Sequence, residues 1–135
     1  AVHEAARIIC EEGIDQAIAR HTLNGKAMSA AIEGMGLKLY GDQNHRMNDV
    51  IGVVIPDGAE DAAIRAQLLN DFYVEIASSF GPLKGRIWRI GVMGCNARKD
   101  AVLTCAAALG NVLERNGIKV SVSDGIAAAL DVYGD

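Results

Sequence analysis

Long apolar runs, close-spaced cysteine pairs and a strong excess of one charge are all missing from this 135-residue sequence. No stretch approaches the roughly 18 consecutive apolar residues that a membrane-spanning helix needs. Charged residues between Glu4 and Glu12 argue against a signal peptide. Nucleic-acid binding is disfavoured, because 13 basic residues face 17 acidic ones and aromatic residues make up only 4% of the chain. We therefore expect neither a membrane nor a nucleic-acid partner.

The three cysteines, Cys10, Cys95 and Cys105, form neither a zinc-binding motif nor an even set for disulfide bonds. We expect reduced, mostly buried thiols in a cytoplasmic protein. The three histidines lie far apart with no carboxylate at metal-ligand spacing, so no metal site is predicted. His21 lies on a predicted helix, where we expect a satisfied, partly buried ring. His45 lies in a polar loop, where a functional role stays open.

What the sequence does contain is the pattern of one globular domain. Half of its residues are apolar, and no repeat or linker divides them. Apolar residues at helical spacing predict two helices before Gly36, the first of which ends at Gly13. Alternation predicts a short strand at residues 37–40, and the β-branched run at 50–55 predicts a central strand.

In the second half of the sequence, segments with the helical spacing of apolar residues alternate with segments that have the two-residue spacing of strands. A third helix is predicted at 59–73, with Ala63, Ala66, Leu69 and Phe72 on its inward face. The other predicted elements are strands at 74–77, 86–92 and 120–122, a helix that Asn96 caps, and a helix over 125–133. The loops between the last strands are too short for parallel crossovers, so we expect a mostly antiparallel sheet of three to four strands. Helices packed on one face of this sheet give an α+β sandwich.

Arg89 interrupts an otherwise apolar strand. Alternation places Arg89 and Gly91 on one face of the strand, and Trp88 and Ile90 on the other. Burying an unpaired guanidinium would cost several kcal/mol, so Arg89 needs an anionic partner, either a protein carboxylate or that of a ligand. Gly91 leaves room on the same face, and arginine suits two-pronged recognition of a carboxylate. From the residues alone, both partners stay open.

A longer motif surrounds Arg89. It reads Gly81-Pro82-Leu83-Lys84-Gly85-Arg86-Ile87-Trp88-Arg89-Ile90-Gly91-Val92-Met93-Gly94. This motif resembles the C-terminal signature of class V pyridoxal-phosphate-dependent aminotransferases of the alanine–glyoxylate and serine–pyruvate type. Similar stretches at 11–13, 20–21, 34–37 and 53–58 extend the resemblance over essentially the whole chain. The segments 52–58 and 125–130 are most similar to the ureidoglycine–glyoxylate branch, with alanine–glyoxylate and serine–glyoxylate exchange left open.

The resemblance implies that residues 1–135 are the family's small C-terminal domain, with residues 1–36 as a helical interdomain segment. It also implies that Arg89 binds the α-carboxylate of the substrate. The full-length protein would then be a homodimeric transaminase that passes an amino group to glyoxylate or a similar 2-oxo acid. Small amino acids and 2-oxo acids would be its substrates.

The cofactor implied by the resemblance is pyridoxal 5'-phosphate, bound mainly by a large domain upstream of position 1. None of the five lysines here lies in the context of the family's cofactor-binding lysine, so no catalytic or cofactor-binding residue is predicted in this chain. The chain begins in helical rhythm without an initiator methionine, which also leads us to expect sequence upstream.

Two alternatives involve no catalysis. One is a stand-alone α+β module that binds a small molecule, or an α+β regulatory module, with Arg89 in an internal ion pair. The other is a dimerisation domain, for which we expect an ordinary apolar patch and no response to small acids.

Overall fold

The structure, a computed structural model, describes residues 1–134. In this range the helices are α1 (Val2–Glu12), α2 (Ile14–Gly34), α3 (Asp61–Phe72), α4 (Lys99–Arg115) and α5 (Val122–Tyr133). The strands are β1 (Val50–Val54), β2 (Ala77–Ser78) and β3 (Ile87–Gly91). Two short 3-10 turns lie at Gly81–Leu83 and Gly94–Asn96, one on each side of β3.

The three strands form one antiparallel sheet in the order β1-β3-β2, which confirms the predicted α+β class. The predicted central strand at 50–55 is β1, which has β3 on one side and a single bridge from Leu39 to Val53 on the other. Within the three-stranded sheet it is β3, not β1, that lies in the middle. The predicted strand at 37–40 is reduced to that one bridge.

The hydrophobic core lies between one face of the sheet and the helices. Trp88, Ile90 and Val92 point into it from the β3 segment, as the alternation predicted. Helices α2 and α5 approach each other closely at Gly125, where a Cβ atom would lie 2.4 Å from Met35 Cγ. The predicted packing of helices on one face of the sheet is therefore confirmed. The other face is buried at Ile87 but accessible around Arg89 and Gly91.

Three details of the predicted elements were wrong. Of the predicted inward face of α3, only Phe72 packs against the core, while Ala63, Ala66 and Leu69 are exposed. The buried residues of this helix are Ile64 and Leu68, because its apolar residues do not single out one face. Asn96 does not cap α4, which begins at Lys99 after the second 3-10 turn. The predicted strand at 120–122 is the entry to α5, whose N-cap is Ser121.

The first helix and the beginning of the second lie outside the core. No residue of α1 is buried, and Ile14 and Ile18 of α2 are exposed. The cysteines are free as predicted, but the expected burial was wrong for two of them, since Cys10 and Cys95 are exposed. Among residues 1–134, no helix is long and apolar enough to cross a membrane.

Candidate functional site

Arg89 lies on the open face of the sheet, in a row of four residues that crosses the strands. The register pairs Arg89 with Gly52 on β1 and with Ala77 on β2. Tyr40 continues the row beyond Gly52, where its backbone N–H donates to the Gly52 carbonyl. Directly paired residues point to the same face of an antiparallel sheet. The arginine side chain is therefore flanked by a glycine and an alanine, the two smallest side chains available.

Gly52 leaves space that Tyr40 occupies. A Cβ atom on Gly52 would lie 3.3 Å from the Cβ and 3.7 Å from the Cδ1 of Tyr40. The exposed tyrosine side chain thus leans over Gly52 on the face that carries Arg89. Gly91, two residues after Arg89 on the same face, is exposed, and a Cβ atom there would meet only the end of Met93, at 3.8 Å. The surface around the guanidinium is open to a small ligand.

The guanidinium of Arg89 is held by neutral groups. Its Nε and Nη2 donate to the Ser78 carbonyl oxygen at 3.2 and 2.9 Å, and the Phe80 ring centroid lies 5.1 Å from its Cζ. No carboxylate within residues 1–134 forms an ion pair with it, so its positive charge is not neutralised there. The Nη1 edge makes no hydrogen bond to these residues. This edge presents two parallel N–H groups, one on Nη1 and one on Nη2, as a two-pronged carboxylate contact requires.

Asp61, at the start of α3, fixes the segment that holds Arg89. Its carboxylate accepts hydrogen bonds from Ser78 Oγ at 2.9 Å, from Trp88 Nε1 at 2.9 Å and from Arg65 Nε at 2.8 Å. Burial would raise the pKa of Asp61, but the hydrogen bonds from Arg65, Ser78 and Trp88 together outweigh it and hold this pKa below its ordinary value. An ionised Asp61 therefore ties α3 to both strands beside the arginine.

The turn after β3 is held by helix α2. Gly94 N–H donates to His21 Nε2 at 3.0 Å, and the Gly94 carbonyl accepts from Arg20 Nη1 at 2.7 Å. His21 Nδ1 lies 2.6 Å from the Ala17 carbonyl, so these two partners assign the proton to Nδ1. Arg20 also bonds Glu12 Oε2 at 2.7 Å, which holds the pKa of Glu12 below its ordinary value. His21 is the satisfied, partly buried residue that the sequence predicted.

A largely apolar groove of about 920 Å³ opens beside this turn. Its walls include Ile8 and Ile9 of α1 and the exposed Ile14 and Ile18 of α2. Cys95 also lines the groove. The exposed apolar face of α1 and α2 is thus continuous with the loop that ends the Arg89 strand.

The other residues that the sequence singled out lie apart from Arg89. His45 is exposed, and its Nδ1 pairs with Asp42 Oδ2 of the same loop at 2.7 Å. Arg46 is partly buried, and its Nη1 is buried without a hydrogen-bond partner within the described range. In residues 1–134, no group of three or more His, Cys, Asp and Glu side chains could hold a metal ion.

Several residues of the site were not predicted from the sequence. Ser78 contributes a backbone carbonyl, which has no side-chain signature. Phe80 lies over Arg89 although it precedes a loop of small residues, and Tyr40 joins the row through a single bridge. Asp61 reads as an ordinary N-terminal helix residue. Only Tyr40 carried a signal, because it alternates with Leu39 in the predicted short strand.

The chain is thus an antiparallel α+β sandwich, and Arg89 on its sheet has no ion-pair partner among residues 1–134. The chain is 44% identical over 133 residues to (S)-ureidoglycine–glyoxylate transaminase of Bacillus subtilis, which covers 98% of the chain and 32% of that protein. A crystal structure of ureidoglycine–glyoxylate aminotransferase from Bacillus subtilis superposes with a TM-score of 0.92 over 96% of the chain and 33% of that structure, also at 44% identity.

Further relatives carry other names within the same group. Pyridoxamine–pyruvate aminotransferase of Mesorhizobium loti superposes with a TM-score of 0.91 at 31% identity, over 95% of the chain and 33% of that structure. Alanine–glyoxylate aminotransferase of Felis catus is 30% identical over 84% of the chain and 28% of that protein. The chain matches no family model.

Over most of its length the chain is similar to one part of these aminotransferases, in agreement with the resemblance that the motif around Arg89 indicated. It spans about one third of the length of the relatives that it matches.

Proposed function

We propose that Arg89 binds the α-carboxylate of amino-acid and 2-oxo-acid substrates in a transaminase to which this chain contributes the small domain. The observation that carries the proposal is the unneutralised guanidinium, which the Ser78 carbonyl holds with its Nη1/Nη2 edge free. A partly buried charge of this kind is stabilised when an anion reaches it. The flanking residues Gly52 and Ala77 leave space for that anion on the open face of the sheet.

We propose further that residues 1–135 are one domain of a longer chain, in which residues 1–36 connect it to a large cofactor-binding domain. The relatives are about three times as long as the matched region, which supports this division. The apolar face of α1 and of the start of α2 gives independent support, because exposed groups such as Ile8, Ile14 and Ile18 line one continuous groove. We assign this groove to contact with the remainder of the chain.

The cofactor of the proposed enzyme is pyridoxal 5'-phosphate, and the described residues do not fit its attachment site. Lys26, Lys38, Lys84 and Lys119 are exposed, and Lys99 lies over the Tyr133 ring with its Nζ 5.3 Å from the centroid. No lysine lines either cavity of the described chain. A cofactor-binding lysine has to be partly desolvated to be reactive. We therefore assign the attachment of the cofactor to the large domain.

In this division of roles, the cofactor supplies the electron-withdrawing ring that transamination needs. Arg89 holds the carboxylate and so fixes the position of the neighbouring carbon atom, which can supply several kcal/mol through orientation. Glyoxylate or pyruvate is the proposed acceptor, since the relatives are named for these two acids. A ureidoglycine donor fits the 44% identical relative, and a homodimer and a cytoplasmic location stay predictions.

Substitution of Arg89 in the full-length enzyme tests the proposal. Arg89→Lys keeps the charge but loses the two-pronged contact, which is worth about 1.5–3 kcal/mol for hydrogen bonds to charged groups. We expect KM to rise about 10- to 100-fold for both the amino acid and glyoxylate, with an unchanged cofactor absorbance spectrum. Arg86→Lys, at an exposed position just before β3, is the matched control. Unchanged KM values for Arg89→Lys would remove Arg89 from the substrate site.

A non-catalytic ligand-binding or dimerisation module is the competing function. The ligand-binding or regulatory module predicted an internal ion pair for Arg89, whereas the guanidinium meets a carbonyl and an aromatic ring within the described residues. The dimerisation module predicted an apolar patch, for which the groove along α1 and α2 is the candidate, but it gives Arg89 no role. The transaminase proposal gives this arrangement a role, so we favour it.

A further inference from the structure

Phe80 is an exposed aromatic residue whose position the proposed carboxylate contact alone does not explain. It is 72% exposed and contributes little to the core. Its ring nevertheless covers the Arg89 guanidinium, with 5.1 Å between the ring centroid and Cζ. This distance is within the range of cation–π attraction. The ring therefore acts on the arginine more than on the stability of the fold.

The hydrogen bonds of Arg89 leave one degree of freedom open. Nε and Nη2 share a single acceptor atom, the Ser78 carbonyl oxygen. Two bonds to one atom set the direction of the guanidinium, but they restrict the tilt of its plane only weakly. Gly52 and Ala77 on either side are too small to limit that tilt. A contact with the flat face of the group is needed to fix the plane.

The segment Ser78–Phe80 supplies both contacts. Ser78 is tied to Asp61 through its hydroxyl, while its carbonyl accepts from Arg89. Two residues on, Phe80 has extended backbone at the start of the 3-10 turn Gly81–Leu83, and its carbonyl accepts from Leu83 N–H at 3.3 Å. One short, anchored segment thus sets the direction of the guanidinium and covers its face.

We propose that Phe80 is a positioning residue for Arg89, which fixes the plane of the guanidinium so that its Nη1/Nη2 edge receives a monocarboxylate. This inference rests on the proposed function of Arg89 and adds a residue to it. The ring has no polar atom, so it neither bonds the acid nor takes part in proton transfer. Its contribution is to binding, and it is the same for the amino acid and the 2-oxo acid.

The test uses the full-length holoenzyme with Phe80→Leu, which removes the ring, and Phe80→Tyr, which keeps it. Competitive inhibition by propionate reports carboxylate binding without transamination. For Phe80→Leu we expect the propionate inhibition constant and both KM values to rise about two- to fivefold, the range of cation–π contacts at exposed sites. We expect an unchanged kcat and an unchanged melting temperature, and we expect Phe80→Tyr to behave as the unsubstituted enzyme.

Tyr73→Leu is the matched control, because it removes another exposed ring, 90% accessible, that is not in contact with Arg89. If Arg89→Lys weakens propionate binding and Phe80→Leu does not, the positioning role is wrong while the proposed function stands. If neither variant weakens it, both the positioning role and the proposed function are wrong. An equal effect of Phe80→Leu and Tyr73→Leu would also overturn the positioning role.

Discussion

The carboxylate of Asp61 is the only acceptor, within residues 1–134, for the indole N–H of the fully buried Trp88. Asp61→Ala would leave this N–H without a partner, which costs about 1–3 kcal/mol. Ser78 and Arg65 are partly accessible and would form hydrogen bonds to water instead, so the loss of their bonds to Asp61 adds about 0–1 kcal/mol to the cost. We therefore predict a loss of about 1–4 kcal/mol in the free energy of unfolding.

Urea unfolding of the chain, followed by far-ultraviolet circular dichroism, measures this loss. Asp71→Ala is the matched control, since Asp71 also lies on α3 and pairs with Arg115 at 2.9 Å, but on the exposed surface. An exposed pair is worth about 0–1 kcal/mol. A loss for Asp61→Ala no larger than that for Asp71→Ala would refute the reasoning that Trp88 depends on this carboxylate.

The pH dependence of the free energy of unfolding provides a second test of the Asp61 carboxylate. The pKa of Asp61 is lower in the folded chain than in the unfolded chain, where it is about 3.9. Its contribution to stability is therefore complete above that pH and is lost as the pH falls through the lower folded value. The stability difference between the unsubstituted chain and Asp61→Asn should narrow below about pH 4. A difference that stays constant from pH 7 to pH 3 would show that the carboxylate is not stabilised in its ionised form.

Two further predictions concern the helices. Burial raises the pKa of Cys105 to about 12, so this thiol should react with a thiol reagent at pH 8 only when the chain unfolds. The exposed Cys10 and Cys95 should be labelled quickly under the same conditions. Fast labelling of all three cysteines would contradict this prediction. A Cβ atom on Gly125 would lie 2.4 Å from Met35 Cγ, so Gly125→Ala should cost about 1–3 kcal/mol in urea unfolding, and an unchanged midpoint would show that the α2–α5 contact can relax.

The periodic features of the sequence predicted the fold well. The alternation around Arg89 placed Trp88 and Ile90 in the core and Arg89 on the open face, because neighbouring residues of a strand point to opposite sides. The helical spacing of apolar residues also predicted α1 and α2, and Gly13 predicted where α1 ends. These predictions succeeded because they depend only on local geometry.

Features that depend on distant neighbours could not be predicted in this way. The inward face of α3 was wrong because alanines at positions such as 63 and 66 fit either a buried or an exposed face. The place of β3 between β1 and β2 depends on pairings between distant segments, such as Gly52 with Arg89, which periodicity does not encode.

The site was predicted only in part for the same reason. Arg89 stood out because an arginine within an apolar strand must meet a partner. Its actual contacts are a carbonyl from Ser78 and a ring from Phe80, and both depend on how β2 pairs with β3. The absence of an ion-pair partner among residues 1–134 thus depends on the sheet register and not on the composition of the strand.

A crystal structure of the full-length protein with glyoxylate bound tests the central claim most directly. We predict that the two carboxylate oxygens of glyoxylate accept from Nη1 and Nη2 of Arg89 at about 2.7–2.9 Å, the usual range for charge-assisted bonds. The Ser78 carbonyl should keep its contacts with Nε and Nη2. Glyoxylate bound away from Arg89, with the guanidinium paired to an Asp or Glu of the protein, would contradict the account.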